Sequence, residues 1–433
     1  MTESAIAQYA NEPVPEHLTV HWWRVALIVS SFSVALPAFL NGAQTSLALG
    51  FGDAILASVL AGVILAVCGS LTSIISVRTR LTTYLLIQRS FGRFGAGLVN
   101  IVIALTLFGW FGVNASFFGS AMVAAVGQLW GVTGHFGAYV IGGSILMTAS
   151  TVFGFKTLEK LALVAVPILG IVLTLVCLTA VRKHGIVFAP SDHPPVPMGF
   201  GIALSALVGG NMVTVATMPD LSRYVRSTRG SVLSMASSFP IATPVMMVAA
   251  ALPALATGQT DIMKLVVEFG LGVPALAAMV LSIWVINASN LYSAGLSLAA
   301  TFPSGRAWMF VLAGGICGTA FALMGIIESF VPFLLLLGVI IPPIAAIFVL
   351  DGFFLFRGVD AASSIQSLPA VRWPAVSTWI ASVIIVITAN WQGLSLTGVP
   401  MFDATIIAAV VYLVVLRFER RFISASPPAA THS

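Results

Sequence analysis

Twelve runs of about twenty mostly apolar residues follow one another along this chain, and no other feature constrains its fold as strongly. A run of that length crosses the hydrocarbon core of a bilayer as one α-helix. Only 8% of the residues are charged, whereas a soluble domain carries about 25%. The chain is therefore predicted to be an all-α polytopic membrane protein with about 12 transmembrane helices. The predicted spans are residues 24–49, 53–77, 95–127, 135–155, 158–181, 198–218, 232–256, 272–301, 307–327, 329–350, 373–390 and 402–418.

The lysine and arginine residues test this division into spans independently, because cytoplasmic loops carry an excess of them. When sides alternate span by span, 16 of the 19 basic residues fall on one side. The other side receives Arg182, Lys183 and Lys264. This split predicts an even number of spans across a bacterial inner membrane, with both termini in the cytoplasm. The net charge of +5 therefore reflects topology, and no nucleic-acid partner is expected.

Two of the predicted spans contain residues that interrupt a helix at mid-depth. The first span carries Pro37, Asn41 and Gly42, and the sixth carries Gly-Gly-Asn at 209–211. Each glycine costs a helix about 1 kcal/mol relative to alanine, and unwound backbone inside a membrane is tolerated only within protein or beside a cavity. Interrupted spans five helices apart are typical of transporters that bind substrate between two inverted repeats. The alternative at Pro37 is a simple kink.

The predicted organisation is a 5+5 inverted repeat followed by two peripheral helices. Between spans seven and eight, the segment DIMKLVVEF at 261–269 is short and amphipathic. It is either a gating helix at the external face or an interfacial loop. The predicted parts are a cytoplasmic tail (1–22), the first repeat (23–181), an external loop (182–197), the second repeat (198–357), a cytoplasmic linker (358–372), peripheral spans eleven and twelve (373–418) and a cytoplasmic tail (419–433).

The sequence shows no constellation of residues typical of an enzyme. All six histidines lie in tails or loops, and the carboxylates lie near span ends. A proton relay at mid-membrane depth would ordinarily need a carboxylate there. The three cysteines have no paired or metal-ligand spacing and are expected to be small buried hydrophobic residues. We therefore expect no enzymatic activity, no metal and no cofactor.

Amides and one indole supply the polar groups of the predicted inner helices. Asn114 lies four residues after Trp110, so both share one face of span three. Asn287 and Asn290 share a face of span eight, and Asn211 lies at the break in span six. An unpaired amide in apolar surroundings costs a few kcal/mol, so these side chains need partners. A flat ligand with donors and acceptors would satisfy them and stack on the indole.

The alternative for each asparagine is a hydrogen bond to a neighbouring helix. Trp284, the indole in the middle of span eight, we assign to packing. The candidate substrate-binding residues are Leu107, Trp110, Asn114, Gly210, Asn211, Asn287 and Asn290.

Five short patches resemble the nucleobase-cation-symport-1 transporters, a family that includes cytosine permeases and the bacterial hydantoin transporter. They occur in the family's order and cover most of the chain. The resemblance implies a leucine-transporter-like fold and uptake of a heterocyclic base. The patches are LTTYLLIQRSFG (81–92), GWFGVN (109–114), LVGGN (207–211), PDLSRY (219–224) and IWVINASNLYSAGL (283–296).

The resemblance also implies roles for single residues. Trp110 matches the tryptophan on which the ligand ring stacks. Asn114 stands where the hydantoin transporter has glutamine, and Asn290 matches, within one residue, a span-eight asparagine that contacts ligand. Two departures concern the ring: Asn211 replaces a second stacking phenylalanine and Leu107 replaces a glutamine of the cytosine permeases. Cytosine itself is therefore not the expected substrate.

A third departure concerns the coupling ion. Family members hold sodium with backbone carbonyls and two adjacent hydroxyls of span eight, and those hydroxyls align with Val285 and Ile286. Because a hard cation needs several oxygen ligands, we expect no sodium site. Proton coupling is the expected substitute, with facilitated diffusion left open.

The predicted function is secondary uptake of a planar nitrogen heterocycle, such as a purine, a pyrimidine or a related compound, by alternating access. The predicted partners are that small molecule and the lipid bilayer, and a monomer fits the sequence. Three alternatives remain open: a non-transporting substrate sensor on the same fold, a sodium-independent facilitator for a vitamin precursor or hydantoin-like compound, and a channel.

Overall fold

A computed structural model describes residues 13–132, 134–302, 305–356 and 368–425. The described residues are almost entirely helical, as predicted. The helices are α1 (Trp22–Ser33), α2 (Leu36–Leu49), α3 (Phe51–Thr79), α4 (Thr83–Phe91), α5 (Arg93–Trp130), α6 (Phe136–His184), α7 (Phe200–Gly209), α8 (Met212–Ala216), α9 (Pro219–Ser222), α10 (Thr228–Thr257), α11 (Ile262–Glu268), α12 (Gly272–Thr301), α13 (Ala307–Leu323), α14 (Phe330–Leu350), α15 (Trp373–Trp391) and α16 (Pro400–Ala425).

These helices account for the twelve predicted spans. Within the described ranges, eight segments are long and apolar enough to cross a membrane. The bent pair α1–α2 gives a ninth span, and three shorter apolar helices, Phe136–Val152, Phe200–Gly209 and Ala307–Leu323, coincide with predicted spans four, six and nine. The prediction of a polytopic helical membrane protein is confirmed.

The first predicted interruption is present and is more than a kink. Helices α1 and α2 meet at an angle of 60°, and the break lies at Val34 and Ala35, just before Pro37. Pro37 occupies the first turn of α2, where its missing N–H is not needed for an intrahelical bond. Asn41 and Gly42 therefore lie inside α2, one to two turns beyond the break.

The second predicted interruption is present at the predicted residues. Helix α7 ends at Gly209 and α8 begins at Met212. Between them, Gly210 keeps helical angles, whereas Asn211 has φ −105° and ψ −1°. The predicted stop at Pro219 is instead the start of the four-residue helix α9, because proline is tolerated in a first helical turn.

One predicted boundary is wrong. Spans four and five were expected to be separated near residues 156–157, but α6 runs without interruption from Phe136 to His184. The stretch between Gly154 and Pro167 contains no glycine, proline or asparagine that would end a helix. The side chains of 153–164 lie outside the described part of the chain.

Two buried clusters of apolar side chains form the interior. Helix α5 packs along α12, and α3 packs along α10. Backbones come close where α3 crosses α10, since a Cβ atom on Gly62 would lie 2.8 Å from the carbonyl oxygen of Phe239. The segment 261–269 is helix α11, with Asp261 capping it through a 2.9 Å bond from the Met263 N–H.

Helices α15 and α16 pack against α14, and α16 also contacts α7 of the interrupted span six, where the Met401 N–H donates to Oγ of Ser205 at 3.3 Å. A buried ionic cluster fixes them there. The Arg372 guanidinium donates to Asp351 at 2.6 Å and to the Ser90 carbonyl at 3.0 Å, and the Tyr412 hydroxyl donates to Asp351 at 2.8 Å. Asp351 is fully buried. It begins a π-helical turn, Asp351–Leu355, that ends span ten.

Candidate functional site

The indole of Trp110 lies half-buried on α5 against the start of α14. Its ring centroid is 5.4 Å from that of Phe333 and 6.3 Å from that of Phe330, both edge to face. Gly109 makes room for this contact, since a Cβ atom there would lie 2.7 Å from Cε2 of Phe333. Three aromatic rings therefore meet at one point of the α5–α14 contact.

Two asparagine amides, one from α5 and one from α12, bond to consecutive backbone carbonyls of α5 at that indole. The Asn114 side chain donates through Nδ2 to the carbonyl oxygen of Trp110 at 2.9 Å. Asn287, from α12, donates to the carbonyl oxygen of the next residue, Phe111, at 3.1 Å. Because these carbonyls are consecutive on one helix, the two amides are neighbours. Both side chains are buried.

A second pair of amides lies at the break in span six. Asn211 donates through Nδ2 to the carbonyl oxygen of Leu207 at 3.1 Å. Asn41, from α2, donates to the carbonyl oxygen of Ala206 at a longer 3.4 Å. The two pairs are arranged alike. In each pair, one amide (Asn114 or Asn211) bonds to the carbonyl four residues earlier in its own span. The other amide (Asn287 or Asn41) comes from the span five helices later or earlier in the chain.

Helix α14 brings the indole and the break together. One turn after Phe330, Leu334 lies against the break: a Cβ atom on Gly209 would be 2.2 Å from the Leu334 carbonyl oxygen, and one on Gly210 would be 3.4 Å from its side chain. The same turn of α14 therefore borders Trp110 on one side and the interrupted helix on the other. A Cβ atom on Gly210 would also lie 3.9 Å from Nδ2 of Asn41.

The remaining candidates lie on the same helices. Leu107 is half-buried one turn before Trp110 and packs in the apolar interior. Asn290 is half-buried one turn after Asn287. Trp284 donates its indole N–H to Ser150 of α6 at 2.9 Å, so the prediction that it packs between helices is confirmed.

The alternative considered for each asparagine was a hydrogen bond to a neighbouring helix, and it holds for Asn41 and Asn287. Asn287 and Asn41 do bond to neighbouring helices, whereas Asn114 and Asn211 bond to their own segments. In each case the bond uses only the amide nitrogen. The amide oxygens of Asn41, Asn114 and Asn287 are buried and receive no hydrogen bond from the described part of the chain.

Several residues of this site were absent from the predicted set. Asn41 was recognised as part of a break but not as a binding residue, although Gln44 follows it three positions later on the same helix face. Gln44 is also buried and its Oε1 atom receives no hydrogen bond from a described residue. The spacing of Phe330 and Phe333, one helical turn apart at the start of span ten, was the available signal for the aromatic contact.

The positions aligned with sodium-binding hydroxyls carry hydrocarbon side chains, as the sequence states. Val285 is buried and Ile286 half-buried on α12. One hydroxyl, that of Ser282, lies a turn earlier and is buried. Within the described ranges, no group of three or more His, Cys, Asp or Glu side chains is placed to hold a metal ion.

Comparison with known proteins gives a consistent result over nearly the full length. A family model described as a permease for cytosine/purines, uracil, thiamine and allantoin matches residues 13–415. The chain is 27% identical over 408 residues to the cytosine permeases of Escherichia coli strain K12 and of Escherichia coli O157:H7. Each alignment covers 94% of this chain and 93% of the relative.

Solved structures show the same fold. The inward-facing conformation of Mhp1 superimposes with a TM-score of 0.80 at 16% identity, covering 93% of both chains. Mhp1 in a closed conformation with bromovinylhydantoin bound, described as a nucleobase-cation-symport-1 family transporter, gives a TM-score of 0.77 at 17% identity and 97% coverage of both. A Na⁺-coupled sialic acid symporter gives 0.64 at 13% identity, over 96% of this chain and 92% of its own.

Proposed function

The chain belongs to the family of permeases for cytosine/purines, uracil, thiamine and allantoin, and on that premise we propose that it imports a planar nitrogen heterocycle by alternating access between its two five-helix repeats. The observation that carries the proposal is that the start of α14 contacts both the Trp110 indole, through Phe330 and Phe333, and the break in span six, through Leu334. A flat ring stacks on an indole face, and amides at its edges fix its orientation. Broken helices are where secondary transporters hold substrate.

The proposed ligand site lies between α2, α5, the α7–α8 break, α12 and α14. Trp110 supplies the stacking surface, and Asn114, Asn287, Asn41 and Asn211 supply the polar contacts. Phe333 lies beside the indole and supports it. Because Asn211 offers an amide and not an aromatic ring at the break, we propose a ring other than cytosine as the preferred substrate.

We further propose that transport does not depend on sodium. A hard cation requires several oxygen ligands, and Val285 and Ile286 offer none from their side chains. The single hydroxyl of Ser282 does not replace two. A proton is the proposed coupling ion in place of sodium. Uptake measured with external sodium replaced by choline should be unchanged, and a steep rise of uptake with sodium would contradict this part of the proposal.

The test of function is uptake of radiolabelled uracil, hypoxanthine and allantoin by a host lacking its own permeases for them. Wild-type protein should give saturable accumulation of at least one compound. Trp110→Ala should abolish that accumulation while the protein still inserts in the membrane. The matched control is Trp284→Ala, an indole on α12 that bonds Ser150; it should lower thermal stability and keep substrate affinity. Full affinity in Trp110→Ala would refute the proposed stacking.

A further inference from the structure

The first half of the interrupted span six, helix α7, is short and depends on its neighbours. It has ten residues, and no side chain caps its first turn. Helices of that length are marginal on their own, so contacts with other helices must fix the position of α7. Because α7 ends at the break that borders the proposed ligand position, whatever holds α7 also places the break.

The chain segment that leads into α16 lies directly against the start of α7. A Cβ atom on Gly201 would lie 2.1 Å from the carbonyl oxygen of Gly398. Gly398 has φ +75°, a left-handed conformation that glycine adopts without strain. One turn further along α7, Oγ of Ser205 accepts the bond from the Met401 N–H at 3.3 Å, a first-turn donor that has no partner within α16. The segment therefore contacts α7 at two points that are one turn apart.

Helix α16 also reaches to within about one turn of the break. Gly338 of α14 lies where α7, α14 and α16 meet. A Cβ atom on Gly338 would lie 3.4 Å from Cα of Gly209, 3.4 Å from the Ser205 carbonyl oxygen and 3.6 Å from Cβ of Met401. The carbonyl of the residue after Ser205 accepts the Asn41 amide. A displacement of α7 would therefore move both the break and the hydrogen-bond partner of one site amide.

Asp403 of α16 fixes the shape of the segment that contacts α7. Its carboxylate accepts four hydrogen bonds: from the Ser395 hydroxyl at 2.6 Å, from the Leu396 N–H at 3.1 Å, and from the N–H and hydroxyl of Thr397 at 3.0 and 2.7 Å. The Ser395 oxygen in turn accepts the Gly398 N–H at 2.8 Å. Asp403 is 5% exposed, and hydrogen bonds to an ionised carboxylate are stronger than those between neutral groups. One side chain thus orders the whole turn.

We infer that residues 395–401, ordered by Asp403, form a clamp on the first half of span six, and that Asp403 is a positioning residue that sets ligand affinity without touching the ligand. The effect on affinity rests on the proposed transport function, whereas the clamp itself is a property of the protein without ligand. A binding site must be held to within about 0.5 Å of its productive geometry. Loosening the clamp therefore weakens binding at the break. The peripheral pair α15–α16 acquires a role in transport through this contact.

The first test is hydrogen exchange of the purified full-length protein in detergent, followed by mass spectrometry. Asp403→Asn keeps the shape of the side chain, removes its charge and turns an NH₂ group towards donors. Gly201→Ala places a methyl group where the Gly398 carbonyl lies. In both variants we expect the amides of α7 to exchange at least tenfold faster, because local opening of a region becomes easier when its contacts are lost. The exchange of α10 should not change.

Two further variants control for the substitutions. Gly199→Ala adds the same methyl group two positions earlier, where no atom lies within 4 Å, and should exchange like the wild-type protein. Thr397→Val removes one hydroxyl donor of Asp403 from an exposed residue. It serves if Asp403→Asn does not fold, and α7 should then exchange at least threefold faster.

The second test is the concentration dependence of uptake of uracil, hypoxanthine and allantoin in the permease-deficient host. For any compound that wild-type protein accumulates, Asp403→Asn and Gly201→Ala should raise KM at least threefold, with the maximal rate per inserted molecule unchanged. Gly199→Ala should keep the wild-type KM. A residue that only stabilised the fold would lower the amount of inserted protein and leave KM as it is.

The outcomes separate the clamp from the function on which its effect on affinity rests. Wild-type exchange of α7 in both Asp403→Asn and Gly201→Ala would overturn the clamp. Faster exchange of α7 with an unchanged KM would overturn the positioning role and leave transport intact. No uptake of the three compounds by wild-type protein would contradict the proposed function, and the exchange of α7 would still decide whether the clamp exists.

Discussion

Two adjacent glycines at the span-six break should respond oppositely to the same substitution. A Cβ atom on Gly209 would lie 2.2 Å from the Leu334 carbonyl oxygen and 3.0 Å from the Gly338 nitrogen. An ordinary contact needs roughly 3.4 Å, so α7 and α14 would have to separate by about 1.2 Å. Overpacking of a well-packed interior costs about 1–3 kcal/mol, and the upper part applies here because backbone atoms cannot rotate away.

The matched change at Gly210 meets no such obstacle. Its nearest atoms would be 3.4 Å away, and its φ of −59° and ψ of −24° suit alanine. Alanine is a better helix former than glycine by about 1 kcal/mol, so Gly210→Ala should keep or slightly raise thermal stability. Gly209→Ala should lower the midpoint of thermal unfolding in detergent by several degrees.

The assay is fluorescence-detected size-exclusion chromatography after heating, which reports the fraction that remains folded without requiring a substrate. Both variants are compared with wild-type protein at equal expression. The reasoning is refuted if Gly209→Ala unfolds at the wild-type temperature, or if the two alanine variants are destabilised equally. Either result would mean that α14 does not pass as closely over the break as described.

Three further predictions concern other parts of the molecule. The double change Val285→Ser with Ile286→Thr should make uptake sodium-dependent, because it places two hydroxyl oxygens on α12. Arg372→Ala should destabilise the protein by about 3–5 kcal/mol, since it leaves Asp351 as a buried unpaired carboxylate, and the unfolding temperature measures it. Gly109→Ala should weaken ring binding at least threefold, because the added methyl group displaces the phenylalanine that packs against it; ligand titration measures it.

Each of these three has its own control and contrary outcome. Sodium independence that persists in the double variant would show that the cation site is lost for another reason. Arg93→Ala, an exposed arginine at the start of α5, should change stability by less than about 0.5 kcal/mol, and equal loss in both arginine variants would contradict the role of the ion pair. Wild-type affinity in Gly109→Ala would show that the ring contact does not shape the site.

The features that follow from local sequence were predicted correctly. The breaks at Ala35 and at Asn211 arise from proline and glycine within a few residues, which act on the backbone where they stand. The shared face of Trp110 and Asn114 follows from helical spacing alone. Helix breaks and shared helix faces do not depend on how the helices pack, so they can be predicted from the local amino-acid sequence.

The features that depend on packing could not be predicted in this way. Asn287 reaches a carbonyl 176 positions earlier, and Asn41 reaches one 165 positions later. The residues next to Asn287 and Asn41 in the sequence do not indicate which carbonyl each side-chain amide will reach or how that amide is oriented. The contact of Phe333 with Gly109 is of the same kind. The missing break in α6 has the opposite cause: dividing the chain into runs of about twenty apolar residues placed a boundary near residue 156, although no residue there ends a helix.

The most direct test of the central claim is the structure of the protein with a ring compound that it transports bound. We predict that the ring plane lies about 3.5 Å from the Trp110 indole face, with polar ring atoms within hydrogen-bond distance of the side-chain amides of Asn114 and Asn41. A ligand found away from Trp110 and the span-six break would contradict the account.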